Sequence, residues 1–129
     1  MVIRFLSIED VLLIHQDTVE NDGGGRGVRD LGLLDAAVNT PRQTFGGGLL
    51  HEDIAAMAAA YLYHMAMNHP FVDGNKRAAA LSALVFLDRN GVSRLPDAHD
   101  MERTTIAVAS GEMSKADLAV WFRTVIGGE

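Results

Sequence analysis

Between Ile54 and Leu87 the chain runs 34 residues with only three formal charges, Asp73, Lys76 and Arg77, all within five positions. The flanking stretches are apolar enough to enter a core, where an unpaired charge costs several kcal/mol. The three charges therefore mark a place where the chain comes out of that core. Pro70 and Gly74 punctuate the same place, so the pattern is two apolar helices joined by one charged loop. The first helix is expected from about Leu50 to Asn68, with Ile54, Met57, Ala58, Tyr61, Leu62 and Met65 on one stripe. The second begins near Asn75 and stops at Asn90-Gly91, a natural left-handed end. Its residues Ala79, Ala80, Leu81, Ala83, Leu84, Val85, Phe86 and Leu87 are apolar nearly all round, which predicts a buried central helix.

Helical signals also fill the rest. Ser7-Ile8-Glu9-Asp10 resembles a capping box with Asp in place of Glu, followed by Val11, Leu12, Ile14 and Val19. Asn21 to Gly27 breaks that helix with four glycines and reads as a flexible connector. Asp30 caps a short helix through Leu33, Leu34, Ala37 and Val38, which Pro41 ends. Residues 98–109 form a further helix, and Ser114 opens the last, with Leu118, Trp121, Phe122 and Val125 inward. Short strands are expected only at 2–6 and 92–95. With 129 residues, the chain reads as a single all-α domain.

Composition removes whole classes of function. The absence of cysteine excludes disulfides, thiolate metal sites and thiol catalysis, and suits a reducing cytoplasm. Eleven Lys and Arg against seventeen Asp and Glu give a net charge of −6. No third of the chain is positive: the balance is −3 over 1–50, −1 over 51–87 and −2 over 88–129. Direct nucleic-acid binding and an anionic membrane surface are disfavoured, since both need a clustered positive footprint. The longest apolar run, Ile54 to Tyr63, has ten residues, too few to span a bilayer. Glu9 and Asp10 interrupt the hydrophobic start, which argues against a secretory signal.

The charged loop, His69-Pro70-Phe71-Val72-Asp73-Gly74-Asn75-Lys76-Arg77, has a chemical reading. Free N–H groups of a helix starting at Asn75 make an anion hole, and Gly74 lets backbone approach a ligand closely. Lys76 and Arg77 add charge-assisted donors for phosphate oxygens. A carboxylate such as Asp73 beside phosphates suits Mg²⁺. Histidine titrates near neutrality, which fits His69 to take a hydroxyl proton as general base. The sum is phosphoryl or nucleotidyl transfer to a hydroxyl. An ordinary interhelical turn, with Asp73 or Asn75 capping and the cations reaching to water, accounts for any one of these residues. Five suitable types in nine positions favour the phosphate site.

The same nine residues resemble the signature loop of the Fic/Doc (Fido) superfamily. Lys76 stands where Fic adenylyltransferases have a second Gly, which points to the Doc, or death-on-curing, branch. The stretch Arg29-Asp30-Leu31-Gly32-Leu33-Leu34-Asp35-Ala36-Ala37, the Pro41…Phe45-Gly46-Gly47 segment and Ala83 to Gly91 are similar to that family too. The resemblance implies a Fic-type helical bundle with the active-site loop between two central helices. It implies His69 as general base, Asp73 as magnesium ligand, Gly74 and Asn75 as anion hole, Lys76 and Arg77 on nucleotide phosphates, and Phe71 as the loop's anchor. By the same resemblance the chain is a toxin of a toxin–antitoxin module. Such a toxin is a kinase that uses ATP and Mg²⁺ to phosphorylate a threonine of translation elongation factor Tu, blocking translation. A Phd-like antitoxin covers its site. The alternatives are AMP transfer, as in Fic enzymes, and a catalytically silent antitoxin-binding scaffold. Many relatives have Thr where this chain has Ala78, and no Ser/Thr-x-x-x-Glu-Gly/Asn self-inhibitory stretch occurs; inhibition then comes from outside.

Other polar residues carry weaker signals. His64 and His69 stand five apart, about 140° around a helix, a poor metal pair; His64 reads as a partly buried polar residue. His99-Asp100 reads as a turn or helix start. Residues 45–51 read equally well as a flap over substrate or an ordinary connection.

Overall fold

The computed structural model describes residues 2–51 and 53–127, and six α-helices form among them. They are α1 (Ile8–Asp22), α2 (Leu31–Asn39), α3 (Ile54–Asn68), α4 (Asn75–Arg89), α5 (Ala98–Ala109) and α6 (Lys115–Gly127). The fold is all-α. None of these helices is long and apolar enough to cross a membrane.

Local chemistry fixes each helix start. Ser7 Oγ accepts the Asp10 N–H at 3.1 Å while Asp10 accepts the Ser7 N–H at 2.9 Å, so the capping box forms with Asp at its third position. Asp30, Asp53 and Asp97 each accept the N–H three residues on. The cap at Asp53 is why α3 starts at Ile54 rather than near Leu50. The same carboxylate meets Arg123 Nε at 2.8 Å and ties α3 to α6.

Helix α3 is the hub and packs against α2, α4, α5 and α6. Alanines at 55, 58, 59, 60 and 66 are all buried, and their small side chains let neighbouring backbones come close. Tyr61, Leu62 and Met65 fill the space between. Helix α4 departs from its expected full burial. Ala78, Ala79, Ser82, Ala83, Phe86 and Leu87 are buried, whereas Ala80, Leu81, Leu84 and Val85 are only partly so. Ala80, Leu81 and Leu84 instead line a cleft.

The expected strands do not form, because side chains take the backbone groups a sheet would have paired. Asn90 Oδ1 accepts the Arg4 N–H at 2.8 Å and its Nδ2 donates to the Arg4 carbonyl at 3.0 Å. Tyr61 Oη accepts the Leu6 N–H at 2.8 Å, and Arg42 donates to the Leu6 carbonyl at 2.9 Å. Residues 92–95 are likewise irregular. A small antiparallel hairpin appears at an unexpected place, β1 (Thr44–Phe45) with β2 (Gly48–Leu49). Gly46 and Gly47, both at positive φ, supply the tight turn that such a hairpin needs.

Candidate functional site

Helix α3 ends at His69, whose φ of 49° and ψ of 55° are left-handed. Among the described residues it is the only non-glycine with positive φ, a conformation costing on the order of 1 kcal/mol or more. Arg29 holds it there. The guanidinium donates to the carbonyls of His69 (2.7 Å) and Asn68 (2.9 Å), so a cation caps the helix C-terminus. The backbone N–H groups of Arg29 and Asp30 both donate to the Pro70 carbonyl. One residue on, Phe71 drops into the core at 1% exposure and forms a backbone bridge with Val28. The Asn75 side chain clamps Phe71 from the other side, accepting its N–H at 2.9 Å and donating to its carbonyl at 3.0 Å. Val72 N–H donates to Gly27. Thus the glycine-rich segment is no loose connector: it runs antiparallel to the charged loop and is bonded to it.

These bonds leave the charged groups facing out. Gly74, left-handed at φ 77°, directly precedes α4 and gives it no side-chain cap. The first-turn N–H groups are therefore left for a ligand. The Asn75 amide is spent inside the loop, so an anion contact from Asn75 comes from its backbone. Asp73 Oδ1 accepts the Gly74 N–H at 2.9 Å and Oδ2 the Gly25 N–H at 3.3 Å. Arg77 lies 3.5 Å from Asp22, both side chains about half exposed. His69, Asp73, Lys76 and Arg77 are all exposed.

They do not splay into open solvent. His69, Asp73, Gly74, Asn75, Lys76 and Arg77 line one cleft of about 680 Å³. Its apolar wall comes from α4 (Ala80, Leu81, Leu84) and α5 (Met101, Ile106). Phe71 lies beneath, in the core. All seven sequence-derived candidates thus fall on one loop and the first turn of α4. Asp73 suits Mg²⁺: it is an exposed carboxylate with lone pairs left after one N–H bond to each oxygen. No group of three or more His, Asp or Glu gathers into a metal cage among the described residues. A lone carboxylate fits only an ion that takes its remaining ligands from phosphates and water.

Sequence reasoning passed over the residues that hold this loop: Arg29, Gly24, Gly25 and His15. His15 is 5% exposed. Its ring stacks on Phe71 with centroids 3.7 Å apart and planes 3° apart, and its Nε2 lies 2.7 Å from the Asp73 carbonyl oxygen. A signal existed: on the buried stripe of α1, with Val11, Thr18 and Val19, His15 is the one ring.

A second polar cluster lies outside the cleft. Lys115 Nζ is 2.9 Å from His64 Nε2, and His51 Nδ1 is buried without a hydrogen-bond partner. Burial, then the charge of Lys115, then His51 push the His64 pKa down to about 4. Burial and then Lys115 lower that of His51, and burial lowers that of Lys115 itself. His99 and Asp100 sit exposed in the first turn of α5, and 44–49 is the hairpin, whose Thr44 and Gly46 to Leu49 are exposed and apart from the cleft-lining residues.

Comparison with known proteins identifies the family. A profile of the Fic/DOC family matches residues 5–87, which contain the charged loop and everything that straps it. The chain is 32% identical over 124 residues to "Protein kinase doc" of Escherichia phage P1, covering 96% of this chain and 97% of that protein. It is 43% identical over 100 residues to "Toxin Doc" of Mycolicibacterium smegmatis, covering 78% of this chain and 74% of that one.

Proposed function

The chain belongs to the Fic/Doc family, and from that premise we propose that it is a Doc-type toxin acting as a single Fic/Doc domain over residues 1–129. On this reading it is a kinase that passes the γ-phosphate of ATP to a threonine hydroxyl of elongation factor Tu in the cytoplasm, until a Phd-like antitoxin covers the cleft. The observation that carries the reading is the convergence of His69, Asp73, the uncapped start of α4, Lys76 and Arg77 on one cleft.

Each group has one task. His69 takes the proton of the attacking hydroxyl, and the left-handed turn that Arg29 stabilises points this residue out of the helix. The oxygen bonds to the γ-phosphorus as the bond to the β–γ bridging oxygen breaks, and ADP leaves with that electron pair. N–H groups at the start of α4 receive phosphate oxygens. Lys76 supplies a point charge and Arg77 a planar fork. Arg77 must loosen its contact with Asp22 to do so, and half-exposed pairs of this kind are weak enough to exchange. Asp73 would hold Mg²⁺, which neutralises phosphate charge when bound.

Lys76 and the relative named "Protein kinase doc" support phosphate over AMP transfer. Purified protein, Mg²⁺, elongation factor Tu and ATP labelled at either the γ- or the α-phosphate separate the two. Label from γ-labelled ATP alone is expected. Label from α-labelled ATP identifies adenylylation, and no label from either, with growth arrest that survives His69→Ala, identifies a scaffold.

A further inference from the structure

A histidine on the core face of a helix has to satisfy its ring nitrogens, and the way His15 does so reaches into the site. Its partner at 2.7 Å is a carbonyl oxygen, that of Asp73. A carbonyl only accepts, so Nε2 carries the proton and donates. Stacking on Phe71 fixes the ring plane, and burial keeps water from competing for the bond. The peptide so held is the one between Asp73 and Gly74. Its N–H is the donor to Asp73 Oδ1, and its Gly74 end starts α4.

The same carboxylate is braced from α1's far end. Gly25 N–H donates to Oδ2, and a β-carbon on Gly24 would lie 2.9 Å from that oxygen. Asp73 is thus located at three points, the carbonyl and both carboxylate oxygens. The carbonyl bond is the one made by a buried, ring-stacked side chain.

We infer that His15 is a positioning residue for metal-assisted phosphate binding. Its Nε2–H···O=C bond sets the Asp73–Gly74 peptide, and with it the direction of the Asp73 carboxylate and of the first donors of α4. The inference rests on the reading of Asp73 as the Mg²⁺ ligand. Outer partners of this kind change metal affinity or activity by about 10–100-fold when removed.

Two substitutions separate the bond from mere packing. His15→Phe keeps an aromatic ring on Phe71 and loses the donor; His15→Gln returns an N–H near the Nε2 position. ATP binding is titrated calorimetrically against Mg²⁺ without any acceptor protein, so turnover plays no part. The Mg²⁺ concentration giving half of full ATP affinity is expected to rise about 10-fold in His15→Phe and to return most of the way in His15→Gln. An unchanged Mg²⁺ requirement in His15→Phe, or equal losses in both variants, overturns the inference. Asp73→Asn is the control. If it removes Mg²⁺ dependence while His15→Phe does not, the role of His15 fails and the reading of the site stands. If the unsubstituted protein binds ATP equally with and without Mg²⁺, the reading of the site fails first. Should His15→Phe not fold, the imidazole ¹⁵N–¹H spectrum of the unsubstituted protein decides: a proton on Nε2 supports the bond, and a neutral ring protonated at Nδ1 overturns it.

Discussion

The molecule has two clusters of titratable side chains on opposite terms with solvent. At 69–77 the charged tips are exposed in a cleft while the backbone beneath them is bonded at nearly every residue. At His51, His64 and Lys115 the side chains themselves are partly or fully buried, and burial pushes all three pKa values down. On the proposed function, the first cluster would receive charge from outside. In the second, burial and the charge of Lys115 hold both histidines towards their neutral forms. Titratable residues therefore do not by themselves mark a site.

The sharpest way to break this contrast is to remove one tip. His69→Ala should lower phosphate transfer by about 10²–10⁴-fold with the melting temperature nearly unchanged, as measured by γ-label incorporation and by calorimetry. Equal loss of stability would make His69 a structural residue like His64.

Next in size is a change in the strap. Gly24 has φ of +108° and no room for a β-carbon beside Asp73 Oδ2. Gly24→Ala should cost about 1–3 kcal/mol of stability and about 10-fold in Mg²⁺-supported ATP binding. Chemical denaturation and calorimetry report the two separately, and stability loss alone would detach the strap from the site.

The buried cluster predicts a pH effect. Folded His64 takes its proton only near pH 4, below its ordinary 6.5. Between those values the unfolded chain binds more protons, so stability is full above about 6.5 and falls as the pH is lowered towards 4. His64→Gln should flatten the melting temperature across that window. An unchanged slope would mean that other groups set it.

The smallest expected effect is at the far end of α4, where Arg89 pairs with both Asp10 oxygens at 2.8 and 3.1 Å. Arg89 holds the Asp10 carboxyl well below the usual carboxylate range, aided by the Ser7 N–H. Arg89→Ala should cost about 0.5–1 kcal/mol and leave ATP binding untouched. A change in ATP affinity would show that the two ends of α4 are coupled.

The charged loop was legible in the sequence because three ions in an otherwise neutral stretch have few places to go. Helix starts were legible at Ser7 and Asp30, which act on backbone three residues away, whereas the Asp53 cap went unread and α3 was expected from about Leu50. The strap was not, since Gly25 meets Asp73 across 48 positions through a backbone N–H that no residue type announces. Residues 2–6 misled for a related reason: Val2, Ile3 and Phe5 suit a strand, but Asn90, Tyr61 and Arg42 occupy the hydrogen bonds. The apolar surplus of α4 was visible, yet its use as a cleft wall depends on where α5 lies.

Amide shifts on adding Mg²⁺–ATP test the central claim most directly. The account predicts saturable changes at Gly25 and across Asp73 to Arg77, with the amides of His64 and Lys115 unmoved. Changes centred on the His64–Lys115 side, or none at the start of α4 at saturating nucleotide, would contradict it.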